Sequence, residues 1–80
     1  ADISLPDFET RLAILKFKAQ EKKVKFPEEI YEYIAKKIEK NIRELEGALN
    51  RLIIFYQINN QIPDLIKTKE LLKDLIKPPL

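Results

Sequence analysis

From Asn41 to Ile58 the chain reads NIRELEGALNRLIIFYQI, and whether this stretch is one long helix or a helix followed by a strand decides the fold. Taken alone, Leu52 to Ile58 has the β-branched and aromatic content of a buried strand. Ile42, Leu45, Leu49, Leu52, Ile53 and Tyr56, however, keep a helical period for four turns, and the sequence offers no second strand for pairing. The spacing therefore predicts a helix over about 42–58. Asn41 is a suitable N-cap, and Glu44 three residues later completes an Asn-x-x-Glu capping box.

Working outward, Pro27 suits the first position of a preceding helix at about 27–39. Glu28 and Glu29 complement its positive end, Ile30, Ile34 and Ile38 repeat every four residues, and Lys36, Lys37 and Lys40 gather at its negative end. Before it, Lys22 to Phe26 form a short connector from a first helix at about 8–22, capped by Asp7, with Phe8, Leu12, Leu15 and Ala19 on one face. Glu9, Arg11, Lys16, Lys18 and Gln20 point in other directions. Ile14 and Phe17 lie off the main stripe, which leaves open a wide core face or a second contact surface. Downstream, Asn59-Asn60-Gln61 makes a turn and Asp64 caps a last helix at about 65–76. Leu65, Leu72, Leu75 and Ile76 face inward there, Leu71 widens the stripe, and Lys77-Pro78-Pro79 stops the helix. The reading is all-α, a small four-helix module.

Composition removes several chemistries. There is no cysteine, histidine, methionine or tryptophan, so no imidazole base, thiolate nucleophile, zinc cluster or disulfide framework can form. Ser4 is the only serine and lacks a histidine to activate it. The longest uncharged stretch, Leu52 to Pro63, contains Gln57, Asn59, Asn60 and Gln61 and falls short of the roughly 20 apolar residues of a membrane span. Net charge is +2 with the two signs mixed along the whole chain, unlike the concentrated basic face of a nucleic-acid binder. The lack of cysteine accords with a reducing, cytoplasmic setting.

Two residues break local rules. Arg43 puts a positive charge in the first turn of a helix, where the dipole and free N–H groups are already positive. Either it pairs with Glu44, Glu46 or a carboxylate on another helix, or it joins the helix N-terminus as an anion receptor whose planar fork suits phosphate. Gly47 is the sole glycine, inside a helix, at a cost of about 1 kcal/mol relative to alanine. It marks either a close helix crossing or space left for a ligand.

The same stretch carries a resemblance. Asn41-Ile42-Arg43-Glu44-Leu45-Glu46-Gly47-Ala48-Leu49-Asn50-Arg51 closely resembles the sensor-2 motif of the DnaA family of bacterial chromosomal replication initiators. Leu5 to Leu15 (LPDFETRLAIL) is similar to the entry of that family's lid, and Lys69 to Leu75 (KELLKDL) to its final lid helix, so the similarity runs in register from about residue 5 to 76. Lys40 departs from the pattern, since many relatives carry Gly or Ser there.

The resemblance implies that residues 1–76 form the helical lid subdomain of an AAA+ ATPase module. Residues 77–80 would begin a linker towards a DNA-binding domain. It implies that the P-loop, the Mg²⁺-binding acid, sensor 1 and the arginine finger belong to a separate core. With one glycine, this sequence has no P-loop, and the lid itself is expected not to be an enzyme. By the same resemblance Arg43 is the sensor-2 arginine reaching ATP or ADP held by the core, and the lid alone would not hold nucleotide stably. Ile14 and Ile42 are candidates for apolar contact with the base or for core packing. Expected partners are the AAA+ core, neighbouring initiator subunits, regulatory proteins and, through other domains, origin DNA. The rival reading is a helical protein-interaction module with no nucleotide role. Contact of the apolar 52–58 run and the Lys-rich last helix with acidic membrane is disfavoured, because both can be core and solvent face of a bundle.

Overall fold

The computed structural model describes residues 7–39 and 42–76. Five helices follow in order: α1 (Phe8–Glu21), α2 (Glu28–Lys37), α3 (Ile42–Asn59), α4 (Leu65–Leu71) and α5 (Lys73–Ile76). The ambiguous 52–58 run is helical throughout. Helix α1 packs on α2 and α3, α2 and α3 pack on each other and on α4, and α5 continues from α4.

The α3 face formed by Leu45, Ala48, Leu49, Leu52 and Ile53 is buried against Leu15 and Ala19 of α1, Ile30, Ile34 and Ala35 of α2, and Leu72. Removing such side chains from water drives the assembly, at about 25 cal/mol per Å² of apolar surface. Two caps match expectation. The Asp7 carboxylate accepts from the Thr10 amide at 2.9 Å, and that of Asp64 from the Lys67 amide at 2.8 Å. The Asn41–Glu44 capping box, Lys40 and residues 77–80 lie outside the described residues. Pro27 is the N-cap of α2, not its first residue, and α2 ends at Lys37. The connector is held by Tyr31, whose hydroxyl accepts from the Phe26 amide at 3.1 Å while the two rings meet edge to face at 6.0 Å.

Arg11 corrects an expectation. It faces inward, 8% exposed, and its Nε donates to the Ala35 carbonyl at 2.8 Å. Ala35 lies in the last turn of α2, where carbonyls lack intrahelical partners and a cation meets the negative dipole end. The long aliphatic stem packs while the head reaches that oxygen.

The last helix also departs from the single 65–76 segment expected. It breaks at Leu72, which is fully buried and leaves helical geometry at φ −108°, ψ 7°. Arg51 of α3 supplies the cause. Its Nη1 donates to the Leu71 carbonyl at 2.9 Å and its Nη2 to Asp74 at 2.9 Å in a two-pronged pair. The Leu71 oxygen is thereby diverted, and the Leu75 amide turns to the Leu72 carbonyl at 2.9 Å. A side chain intruding on the i→i−4 ladder is a recognised source of kinks.

The end of α1 carries a less usual feature. Lys23 has φ 61°, with its amide bonded to Gln20 O at 3.0 Å and the Val24 amide to Ala19 O at 3.0 Å. This is a Schellman termination with lysine where glycine is normally found.

Three outcomes are expected. Arg11→Ala should lower unfolding free energy by about 2 kcal/mol, since it orphans a buried carbonyl and removes a charge-assisted bond; denaturant melts giving a loss below about 0.5 kcal/mol would contradict the capping role. Lys23→Gly should raise stability by about 0.5–1 kcal/mol by relieving the left-handed backbone, with an unchanged midpoint as the contrary result. The third concerns Asp74, whose pKa is lowered chiefly by the hydrogen bond from Arg51. Because the folded state resists protonation more than the unfolded one, this latch contributes above the ordinary carboxylate pKa of about 4 and fades as pH falls through the lowered value. Melting curves of wild type and Asp74→Asn should therefore differ at neutral pH and converge in acid; a gap independent of pH would show that the carboxylate charge is irrelevant.

Candidate functional site

Burial of one face of α3 fixes what the other face presents. Arg43, Gly47, Asn50, Ile54 and Ile58 follow at spacings of four, three, four and four, a single helical column, and all five are exposed. At the N-terminal end of this column α1 runs alongside, and Lys18 and Lys22 of its last turns join Arg43, Glu46, Gly47 and Asn50 around an open groove of about 330 Å³ floored by Leu49 and Ile53.

The groove is electropositive. Lys18 pairs with Glu46 at 3.3 Å, leaving Lys22 and Arg43 without ion pairs among the described residues. Arg43 therefore does not meet the carboxylate partner that an ordinary surface arginine was expected to find. Its guanidinium stands in the first turn of α3, at the positive end of the helix dipole.

Gly47 is exposed, and a Cβ built there would meet nothing within 4 Å. The close helix crossing offered as one explanation of this glycine is thus excluded, and the residue instead lowers one wall of the groove. The two isoleucines differ. Ile42 is half-buried and packs against the core, whereas Ile14 is half-buried on α1; neither lines the groove. Sequence reasoning singled out Arg43 and Gly47 but not Lys18, Lys22 or Asn50. The i, i+4 lysine pair and the Arg43-Gly47-Asn50 column were visible signals, yet the approach of α1 to α3 is a tertiary fact.

This arrangement suits an anion, since three cations and one carboxylate line it. Glu46 is the one carboxylate lining the groove and is held by Lys18, and no cluster among the described residues could hold a metal ion. No helix among the described residues is long and apolar enough to cross a membrane.

No family model matches the chain. It is 51% identical over 76 residues to the chromosomal replication initiator protein DnaA of Caldanaerobacter subterraneus subsp. tengcongensis, and 49% identical over 76 residues to that of Thermoanaerobacter pseudethanolicus. In both cases 95% of this chain aligns with 17% of the relative, so the chain spans a small part of the proteins it matches. The fold matches a crystal structure of domain III from the Thermotoga maritima replication initiation protein DnaA, with TM-score 0.86 and 33% identity, covering 94% of this chain and 31% of that one. The chain is homologous to a segment of DnaA, and its fold is that of part of domain III.

Gly47→Ala separates the two uses a helical glycine can have. With open space around the new methyl group, it should stabilise the fold by up to about 1 kcal/mol. A melting midpoint below wild type would reveal a packing constraint that the structure does not contain.

Proposed function

We propose that this chain is the helical lid of an AAA+ module of the DnaA type, and that Arg43 is its nucleotide sensor. The observation that carries the reading is the exposed guanidinium of Arg43 in the first turn of α3, without an ion pair among the described residues, at the edge of a groove with a net positive lining. The homology to DnaA and the likeness to domain III support it.

The residues present suit a polyphosphate held by a neighbouring core. Arg43 supplies a planar pair of donors for terminal phosphate oxygens, Lys22 adds a second free cation, and Gly47 keeps the wall low enough for a bulky anion. Lys18 is already partly neutralised by Glu46 and contributes less. Ile14 remains a candidate for contact with the base; Ile42 is better explained by the core.

In this reading the chemistry of hydrolysis belongs to the core, and the lid contributes differential binding. Arg43 gains an additional charge-assisted contact when a γ-phosphate is present, so ATP favours a closed lid more than ADP does. The closed angle then decides whether neighbouring initiator subunits stack, which couples nucleotide state to assembly at origin DNA bound through other domains. Arg51, in the middle of α3, ties that helix to Leu71 and Asp74, so a displacement felt at Arg43 is passed to the last helical segment.

The test is Arg43→Ala in a protein containing core and lid. Loss of one charge-assisted phosphate contact should reduce ATP-over-ADP discrimination by about 1.5–3 kcal/mol, or roughly tenfold to a hundredfold. Stability should change by less than about 0.5 kcal/mol, because the side chain is exposed and unpaired. Unaltered discrimination would leave only a helical interaction module.

A further inference from the structure

We propose that the corner between α1 and α2 is a docking groove for an acidic peptide segment carrying an apolar anchor residue. This groove, of about 690 Å³, shares no lining residue with the one beside Arg43, and it does not depend on the nucleotide reading. Lys16, Lys23 and Lys25 stand over a floor of Val24, Phe26 and Tyr31.

Charge decides the class of occupant. Glu28 is the one carboxylate lining the groove, and Lys16 holds it at 2.8 Å. Lys23 and Lys25 are left exposed with no carboxylate partner among the described residues. On the adjoining surface of α1, Phe17 is 58% exposed and neighbours Gln20, another lining residue, three positions on. An apolar side chain seated between the lysine stems, with carboxylates on either side, satisfies the two cations.

The backbone at Lys23 points the same way. Glycine would terminate α1 with less strain, yet the position carries a lysine that lines the groove. A nucleic-acid strand fits less well. Phe26 and Tyr31 are too buried for a base to stack on, and a strand's evenly spaced phosphates would have to pass exposed Glu21, Glu29 and Glu32, whereas a short peptide can confine its carboxylates to Lys23 and Lys25.

The experiment uses the ¹⁵N-labelled chain and, as probe, a short synthetic peptide with glutamates on both sides of a Phe-Leu pair. Controls are the same peptide with glutamine for glutamate, the same peptide with serine for Phe-Leu, and an oligothymidylate. The expected result is saturable binding of the probe alone, with amide shifts at Phe17, Lys23, Val24, Lys25 and Tyr31. Lys25→Glu should weaken it by about threefold to tenfold. Lys23→Gly should weaken binding while raising the melting temperature, a combination that partial unfolding cannot produce. Shifts spread over lysines throughout the molecule, affinity indifferent to Lys25→Glu, equal binding of the glutamine or serine control, or tighter binding of oligothymidylate at the same residues would each overturn the proposal.

Discussion

The rotation of α3 about its own axis is the constraint on which the rest of the molecule depends. Leu45, Ala48, Leu49, Leu52 and Ile53 are buried between the other helices, and turning the helix to expose them would forfeit several side chains' worth of apolar burial at about 1.5–3 kcal/mol each. With that face committed, Arg43, Gly47 and Asn50 have no choice of direction. The core thus aims the guanidinium without touching it. Arg51, on the flank of the same helix, uses its fixed position to grip Leu71 and Asp74 and bend the chain's last helical segment.

Arginine serves three separate ends here. Arg11 is buried and completes a helix terminus, Arg51 is half-buried and bends another helix, and Arg43 is exposed with no ion pair among the described residues. The first two find carbonyl or carboxylate oxygens within the fold. The third sits where the helix dipole makes a cation least welcome, and it is on this conflict that the proposed anion-binding role rests. Local rules are most informative where they are broken at a solvent-facing site rather than repaired inside the fold.

Much of this was legible in the residue order. The period of α3 outweighed the strand-like content of 52–58, because a strand needs a partner that the chain lacks. Asp7 and Asp64 cap through bonds spanning three residues, a range that spacing alone reveals. What escaped depends on long-range meetings. The Arg11 bond to Ala35 spans 24 residues, and its inward course contradicts the habit of charged side chains. The break at Leu72 is imposed by an arginine 20 residues before the carbonyl it captures. At the site, Arg43 announced itself by its conflict with the dipole, whereas Lys18 and Lys22 enter only through the packing of α1 on α3. Gly47 stands out in the sequence as a helix-breaking residue inside a helix, but whether it makes room for a neighbour or for open space is settled only by the fold.

The account stands or falls on where the Arg43 guanidinium lies when nucleotide is bound. The direct measurement is a structure of a longer protein containing this chain and an AAA+ core with a non-hydrolysable ATP analogue. Guanidinium nitrogens of Arg43 are expected at charge-assisted hydrogen-bond distance, about 2.7–2.9 Å, from oxygens of the terminal phosphates. A guanidinium turned to solvent or to a protein carboxylate, with the triphosphate held by the core alone, would contradict it.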